Sequence, residues 1–188
     1  GDVQVEIDEQ PGKANLDKIP RLKPAFRADG TVTAANPSSI SDGAAALVLA
    51  RASVANDIGL HARARIVAHT THAQEPAWFT TAPVAAISKL LARSGWRIDD
   101  VDLFEINEAF AVVAAKFVRD LGLDWDRVNV NGGSIALGHP IGATGSILIG
   151  TIVDELERQD KRYGLVTMCA AGGMAPAIIV ERVSDFVD

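Results

Sequence analysis

The chain has 188 residues, 48% hydrophobic and 22% charged, with a formal net charge of −6. That length and balance describe one folded domain, or one domain with a piece of another, and enough apolar content for a core. The acidic balance excludes a general nucleic-acid binder, no apolar run approaches a membrane span, and a single cysteine, Cys169, excludes an internal disulfide framework.

Val3-Gln4-Val5-Glu6-Ile7 alternates and predicts a strand. Residues 8–30 are polar and carry Pro11, Gly12, Pro20, Pro24 and Gly30, so a loop is expected. Within it Lys13, Lys18, Arg21, Lys23 and Arg27 crowd a stretch with few acids. A solvated face and a docking strip for the phosphates of a small ligand both fit that stretch. Asn36-Pro37-Ser38-Ser39 signals a turn, and 44–50 reads as a short apolar strand or buried segment. Residues 51–58 predict a short helix that Gly59 can cap.

From Arg63 the pattern becomes regular. A strand is expected over 64–68, and Pro83 suits the first residue of a helix in which Val84, Ile87 and Leu91 recur until Gly95. A strand over 101–106 precedes a helix over 108–121, with Phe110, Val113, Phe117 and Leu121 on one face. A strand over 128–130 runs into a glycine-rich loop, and a helix follows with Ile141, Gly145, Leu148, Ile152 and Leu156 on one stripe. Strands over 165–168 and 177–180 close the chain. They are joined too tightly for a parallel crossover, so that pair is expected to be antiparallel. Strands alternating with helices predict an α/β layered fold with a mixed sheet.

The loop N-V-N-G-G-S-I-A-L-G-H-P-I-G-A-T-G, residues 129–145, is the most unusual stretch. Chains accept so much glycine where backbone must turn sharply or press close to a ligand. Pro140 fixes its own φ and pushes His139 toward extended geometry, which holds the ring in a defined direction. Such a histidine suits general base chemistry, although a glycine-rich turn with an incidental histidine has the same spacing. Asn107 and Cys169 fall, like His139, just beyond the ends of predicted strands, where ligand sites of open α/β sheets gather. Taken singly, Asn107 can be a helix cap and Cys169 a small buried apolar group. His69 and His72, three apart on extended chain, face opposite sides and do not make a metal pair. The glycines of 138–145 have the wrong spacing for a dinucleotide fingerprint.

The blocks T-V-T-A-A-N-P-S-S-I-S-D-G-A-A-A (31–46), N-E-A-F-A (107–111), N-G-G-S-I-A-L-G-H-P-I-G-A-T-G and the closing C-x-x-G-G (169–173) resemble, in order, the C-terminal half of thiolases. The resemblance covers nearly the whole chain. It implies a thiolase-like layered α/β fold, with 63–188 as the C-terminal domain and 1–62 as the end of the loop region and last elements of the N-terminal domain. It also implies an acyltransferase that cleaves 3-ketoacyl-CoA with coenzyme A, or condenses acetyl-CoA in reverse. Coenzyme A and acyl-CoA would be substrates, with no bound cofactor or metal. By the same resemblance His139 is the base that activates a nucleophilic cysteine. His139 and a water held by Asn107 would stabilise the enolate oxygen, and Cys169 would be the acid/base for its carbon. Ser38 and Phe26 match positions that line the pantetheine arm of CoA.

Two departures matter. The sequence Ala170-Ala171-Gly172-Gly173 puts Ala171 where the family usually has a glycine that offers its N–H to an oxyanion. Alanine keeps that N–H, so the role needs only backbone angles that tolerate a Cβ. The family's nucleophilic cysteine belongs to an N-terminal half, and Cys169 matches the acid/base residue instead. The chain is therefore expected to be about half of an enzyme, inactive alone, poorly soluble or firmly associated, and partnered by that N-terminal half. A homodimer or homotetramer in the cytosol, serving fatty acid metabolism by β-oxidation, completes what the resemblance implies. Another condensing enzyme of the superfamily is one alternative; those using a histidine pair would show a second histidine where Asn107 stands, against which N-E-A-F argues. A thiolase-like acyl-CoA or lipid-binding protein without catalysis is the remaining alternative.

Overall fold

The computed structural model describes residues 3–183. Four strands form one sheet in the order β1-β4-β3-β2, where β1 is Ala64–Ala73, β2 Leu103–Ile106, β3 Tyr163–Thr167 and β4 Met174–Arg182. β2 and β3 run parallel, with Ile106 opposite Thr167, while β4 is antiparallel to both β3 and β1. The sheet is mixed because the turn after Cys169 is too short to return a strand in the parallel sense.

Helices cover both faces, as strands with apolar residues at successive positions require. Helices α1 (Glu9–Lys13) and α2 (Ala52–Asp57) precede the sheet; α3 (Ala82–Ser94), α4 (Ala111–Leu121), α5 (Ser134–Leu137) and α6 (Thr144–Arg158) follow β1. On one face α3 and α4 pack Ile87, Leu90, Val113 and Phe117 against Phe104, Ile106, Leu165 and Ile179. On the other, α6 lays Leu148, Ile152, Val153 and Leu156 on Leu103, Val166 and Val180. Alternate residues of each strand thus feed opposite cores. Each large side chain fully removed from water contributes roughly 1.5–3 kcal/mol, so the two cores anchor the strand ends that carry the polar residues.

Several expected elements shift. Residues 3–7 form no strand, nor do residues 44–50, where Val48 is 90% exposed. Both have strand-like composition, yet among the described residues no neighbouring strand lies beside them, and an isolated strand has no ladder to hold it. The predicted strand over 128–130 contracts to one parallel bridge, Val128 to Phe104. Asn129 then turns to φ 47°, and its side chain continues the pairing in place of backbone. Its Oδ1 accepts from Ile106 N at 2.8 Å and its Nδ2 donates to Ile106 O at 3.0 Å. The helix expected from 108 begins only at Ala111, because residues 109–111 first pair with the 36–38 segment: Ser38 N donates to Ala109 O and Ala111 N to Asn36 O. Pro83 is the second residue of α3 rather than the first. Ile141 lies outside α6 and is exposed, so the apolar stripe starts later than its spacing implies.

Candidate active site

Asn107 follows β2 directly, and its N–H donates to Thr167 O on β3 at 3.2 Å. It is fully buried. It does not cap α4, which starts four residues later; its amide is committed to two side chains instead. Nδ2 lies 3.3 Å from Nε2 of His139, and Oδ1 accepts from the Ser134 hydroxyl at 2.7 Å. Ser134 opens α5 inside the glycine loop and is itself buried. Burying an amide is costly unless both ends find partners, and here both do.

His139 is held from three sides. Its N–H donates to Ser39 O at 3.1 Å, which ties the loop to the 39–41 segment. Its Nδ1 lies 2.7 Å from the Thr144 hydroxyl in the first turn of α6, and that hydroxyl donates to Pro140 O at 2.9 Å. Burial lowers the pKa of the imidazole below its ordinary value, so the ring is neutral near pH 7 and able to take a proton. Proline after the histidine fits this geometry: Pro140 supplies the carbonyl that closes the loop onto Thr144 and Ala143.

The glycine loop is fastened to Glu108 as well. Glu108 Oε1 accepts from Asn129 Nδ2 at 2.9 Å and Oε2 from Ile135 N at 3.2 Å. A Cβ on Gly133 would lie 2.1 Å from the Glu108 carboxyl carbon, so glycine there is required by close approach. Glu108 thus grips both the start and the middle of the loop, one residue from Asn107.

Cys169 stands two residues beyond Thr167 at the end of β3, the strand beside β2. It is 5% exposed, and burial pushes its thiol pKa up, so it stays protonated near neutrality. Ala170 pairs with Met174 across the turn that follows. Positive φ falls on Gly172 and Gly173, at 87° and 86°, and not on Ala171, so the Cβ of Ala171 meets no backbone penalty. Ala171 is exposed, and among the described residues its N–H takes no acceptor.

Ser38 and Phe26 lie on the segment bound to residues 109–111. Ser38 N donates to Ala109 O at 3.1 Å, and the Phe26 ring meets that of Phe110 edge-on at 6.2 Å, leaving Phe26 74% exposed. The structure therefore brings Asn107 and His139 into contact and sets Cys169 and Ala171 on the adjacent strand end. Ser38 and Phe26 meet Ala109 and Phe110, the second and third residues after Asn107. His69 and His72 are three apart on β1, His72 bonded to Gln74 at 3.1 Å. Ser134, Thr144, Glu108 and Asn129 were not picked out by sequence reasoning. A threonine four residues after Pro140, in the first turn of the helix, is the one local signal that points to Thr144.

The family model described as Thiolase, C-terminal domain matches residues 60–182, and that described as Thiolase, N-terminal domain matches residues 1–53. Acetyl-CoA acetyltransferase of Schizosaccharomyces pombe is 46% identical over 179 residues, covering 95% of this chain and 45% of that protein. The crystal structure of the Bacillus anthracis acetyl-CoA acetyltransferase is similar with a TM-score of 0.88 at 41% identity, over 94% of this chain and 45% of that one. Human mitochondrial 3-ketoacyl-CoA thiolase in complex with CoA has a TM-score of 0.83 at 35% identity, over 91% of this chain and 43% of that one. The chain thus spans less than half the length of these relatives.

Proposed function

The chain belongs to the thiolase family, and from that premise we propose that it supplies the base, the amide and the carbon acid of a 3-ketoacyl-CoA thiolase. The observation that carries this reading is the buried pair of Asn107 and His139, 3.3 Å apart. The one thiol of these 188 residues, Cys169, lies two residues beyond the end of the neighbouring strand. The environments push the two titrating groups apart in the direction the chemistry needs. Burial keeps the imidazole neutral and able to accept a proton, and keeps the thiol protonated and able to give one.

The steps follow from that division. His139 Nε2 takes the proton of a nucleophilic cysteine, and the thiolate attacks the 3-keto carbon of the substrate. The bond between C2 and C3 breaks, leaving an acyl-enzyme and the enolate of acetyl-CoA. The enolate oxygen is stabilised by the protonated His139 and by a water held on Asn107. The Cys169 thiol gives its proton to C2, and its thiolate then takes the proton of an incoming CoA, whose sulfur accepts the acyl group as the bond to the nucleophilic cysteine breaks and that thiolate takes its proton back from His139. Ala171 can lend its free N–H to the oxyanion that forms on the 3-keto oxygen when the thiolate attacks. Ser38 and Phe26 would line the pantetheine arm, a reading supported by their contacts with Ala109 and Phe110 and by the relative that is seen with CoA.

Cys169 is the one cysteine of these 188 residues, so the nucleophile belongs to an N-terminal half that the chain must meet. The coverage of less than half of each relative supports this, as does exposed apolar surface at Ile40, Val48 and Leu49 that such a half would cover. A division at about residue 62, a homodimer or homotetramer, a cytosolic location and a role in β-oxidation belong to the same proposal. The 188 residues, incubated with acetoacetyl-CoA and CoA, should give no thiolysis, and the complete polypeptide should restore it. Turnover by the 188 residues alone would overturn the division of labour. A complete enzyme unable to cleave or form any 3-ketoacyl-CoA would overturn the reaction.

A further inference from the structure

Four hydrogen bonds run through the site in one line. They join Ser134 Oγ to Asn107 Oδ1 (2.7 Å), Asn107 Nδ2 to His139 Nε2 (3.3 Å), His139 Nδ1 to Thr144 Oγ1 (2.7 Å), and Thr144 Oγ1 to Pro140 O (2.9 Å). Such a line can carry its protons in either direction, and the two directions have opposite consequences for the imidazole.

In the first direction Ser134 donates to the Asn107 carbonyl, the Asn107 amide nitrogen donates to Nε2, Nδ1–H donates to Thr144, and Thr144 donates to the Pro140 carbonyl. Each of these four donors meets an acceptor. The reverse direction requires Thr144 to donate to Nδ1, Nε2–H to donate to a turned-over Asn107 carbonyl, and the amide nitrogen to donate to Ser134. That arrangement leaves the hydroxyl proton of the buried Ser134 with no acceptor among the described residues, and it forfeits the bond from Thr144 to Pro140 O. A buried donor left unpaired is expensive, so the first direction prevails. The ring tautomer is set by the partner of the nitrogen that is not reacting, which here is Thr144.

We propose that Ser134 and Thr144 are positioning residues that fix the direction of this line, holding His139 as the Nδ1–H tautomer with an unprotonated Nε2. Ser134 decides which end of the Asn107 amide faces the ring, and Thr144 decides which ring nitrogen carries the proton. The catalytic meaning rests on the reading of His139 as the thiolase base, since Nε2–H cannot accept a proton. The tautomer itself does not depend on that reading.

The test is ¹⁵N NMR of protein labelled at histidine, at about pH 8 where the ring is neutral. His139 is assigned by its loss in His139→Gln. Wild type is expected to show a protonated Nδ1 and a bare Nε2. Thr144→Ser should keep that pattern because it keeps the hydroxyl, and Thr144→Val should lose the Nδ1–H preference. A wild type with Nε2–H overturns the proposal, as does a folded Thr144→Val with an unchanged spectrum. Should Thr144→Val fail to fold, wild type and Thr144→Ser still decide, since Nε2–H in either is fatal. In the complete enzyme Thr144→Val should lower kcat at least tenfold with KM within about twofold, and Thr144→Ser should restore it. An enzyme inactive toward every 3-ketoacyl-CoA but with the expected spectrum would sink the thiolase reading and leave the assigned direction standing.

Discussion

The amide of Asn107 and the imidazole of His139 meet 3.3 Å apart although 32 residues separate them. The contact depends on β2 delivering the amide and on Pro140 and Ser39 delivering the ring. An amide committed in this way does local structural work through Ser134 and, on the thiolase reading, holds the water that faces the enolate.

Asn107→Ala in the complete enzyme should therefore lower kcat about 10²–10³-fold, or roughly 2.7–4 kcal/mol, the usual cost of one lost oxyanion donor. Its melting temperature should fall much less, since Ser134 loses one neutral partner. Steady-state kinetics beside a thermal melt checks the contrast; equal losses in both would reduce Asn107 to a structural residue.

Much of this site could be read from the chain itself, and the reason is local. His139 is followed by the proline that restricts it, and Asn107 and Cys169 directly follow apolar runs that had to be strands. The fold class was legible for the same cause, because strand and helix periods alternate cleanly after Arg63. What escaped was long-range. Nothing near Asn129 indicates that its side chain would replace backbone in the ladder of β2, and nothing near Ser134 indicates its partner 27 residues upstream. The segment 44–50 has a strand's composition, but composition cannot supply the neighbour that a strand needs.

Cys169 should be slow to alkylate. Burial raises its pKa, so the thiolate fraction at pH 8 is below that of a free cysteine, and the sulfur is also shielded. The rate with iodoacetamide should be several-fold below that of glutathione at pH 8 and climb with pH beyond the range of an ordinary thiol. A rate equal to the free thiol at every pH would contradict the burial.

Gly133 and Gly142 lie in the same loop and should respond differently to alanine. A Cβ at 133 meets the Glu108 carboxylate, which Asn129 and Ile135 hold in place and which cannot swing away. Gly133→Ala should cost about 1–3 kcal/mol of stability, as overpacking does. A Cβ at 142 meets nothing within 4 Å, and Gly142→Ala should stay within about 0.5 kcal/mol of wild type. Denaturant titration of both variants checks the difference. Removing the obstacle should also help, so Gly133→Ala combined with Glu108→Ala should fall short of the summed losses.

Glu105 gives the chain a stability that declines as pH rises. It lies buried on β2, and burial pushes its pKa up to about 8, with the Glu108 and Glu155 carboxylates adding to the push. In the unfolded chain it titrates near the ordinary glutamate value of about 4.3. Between those two values the folded protein keeps a proton that the unfolded chain has released, so stability falls with pH. The contribution is complete below the unfolded pKa and is lost as pH rises through about 8. Glu105→Gln has no proton to lose and should flatten this slope. At pH 9 the variant should exceed wild type by on the order of a few kcal/mol, each pKa unit being worth about 1.4 kcal/mol. At pH 4 the two should nearly coincide. Urea titrations at about pH 4, 6, 7.5 and 9 trace both curves. Parallel curves across that range would mean that Glu105 ionises in the folded protein as freely as it does in water.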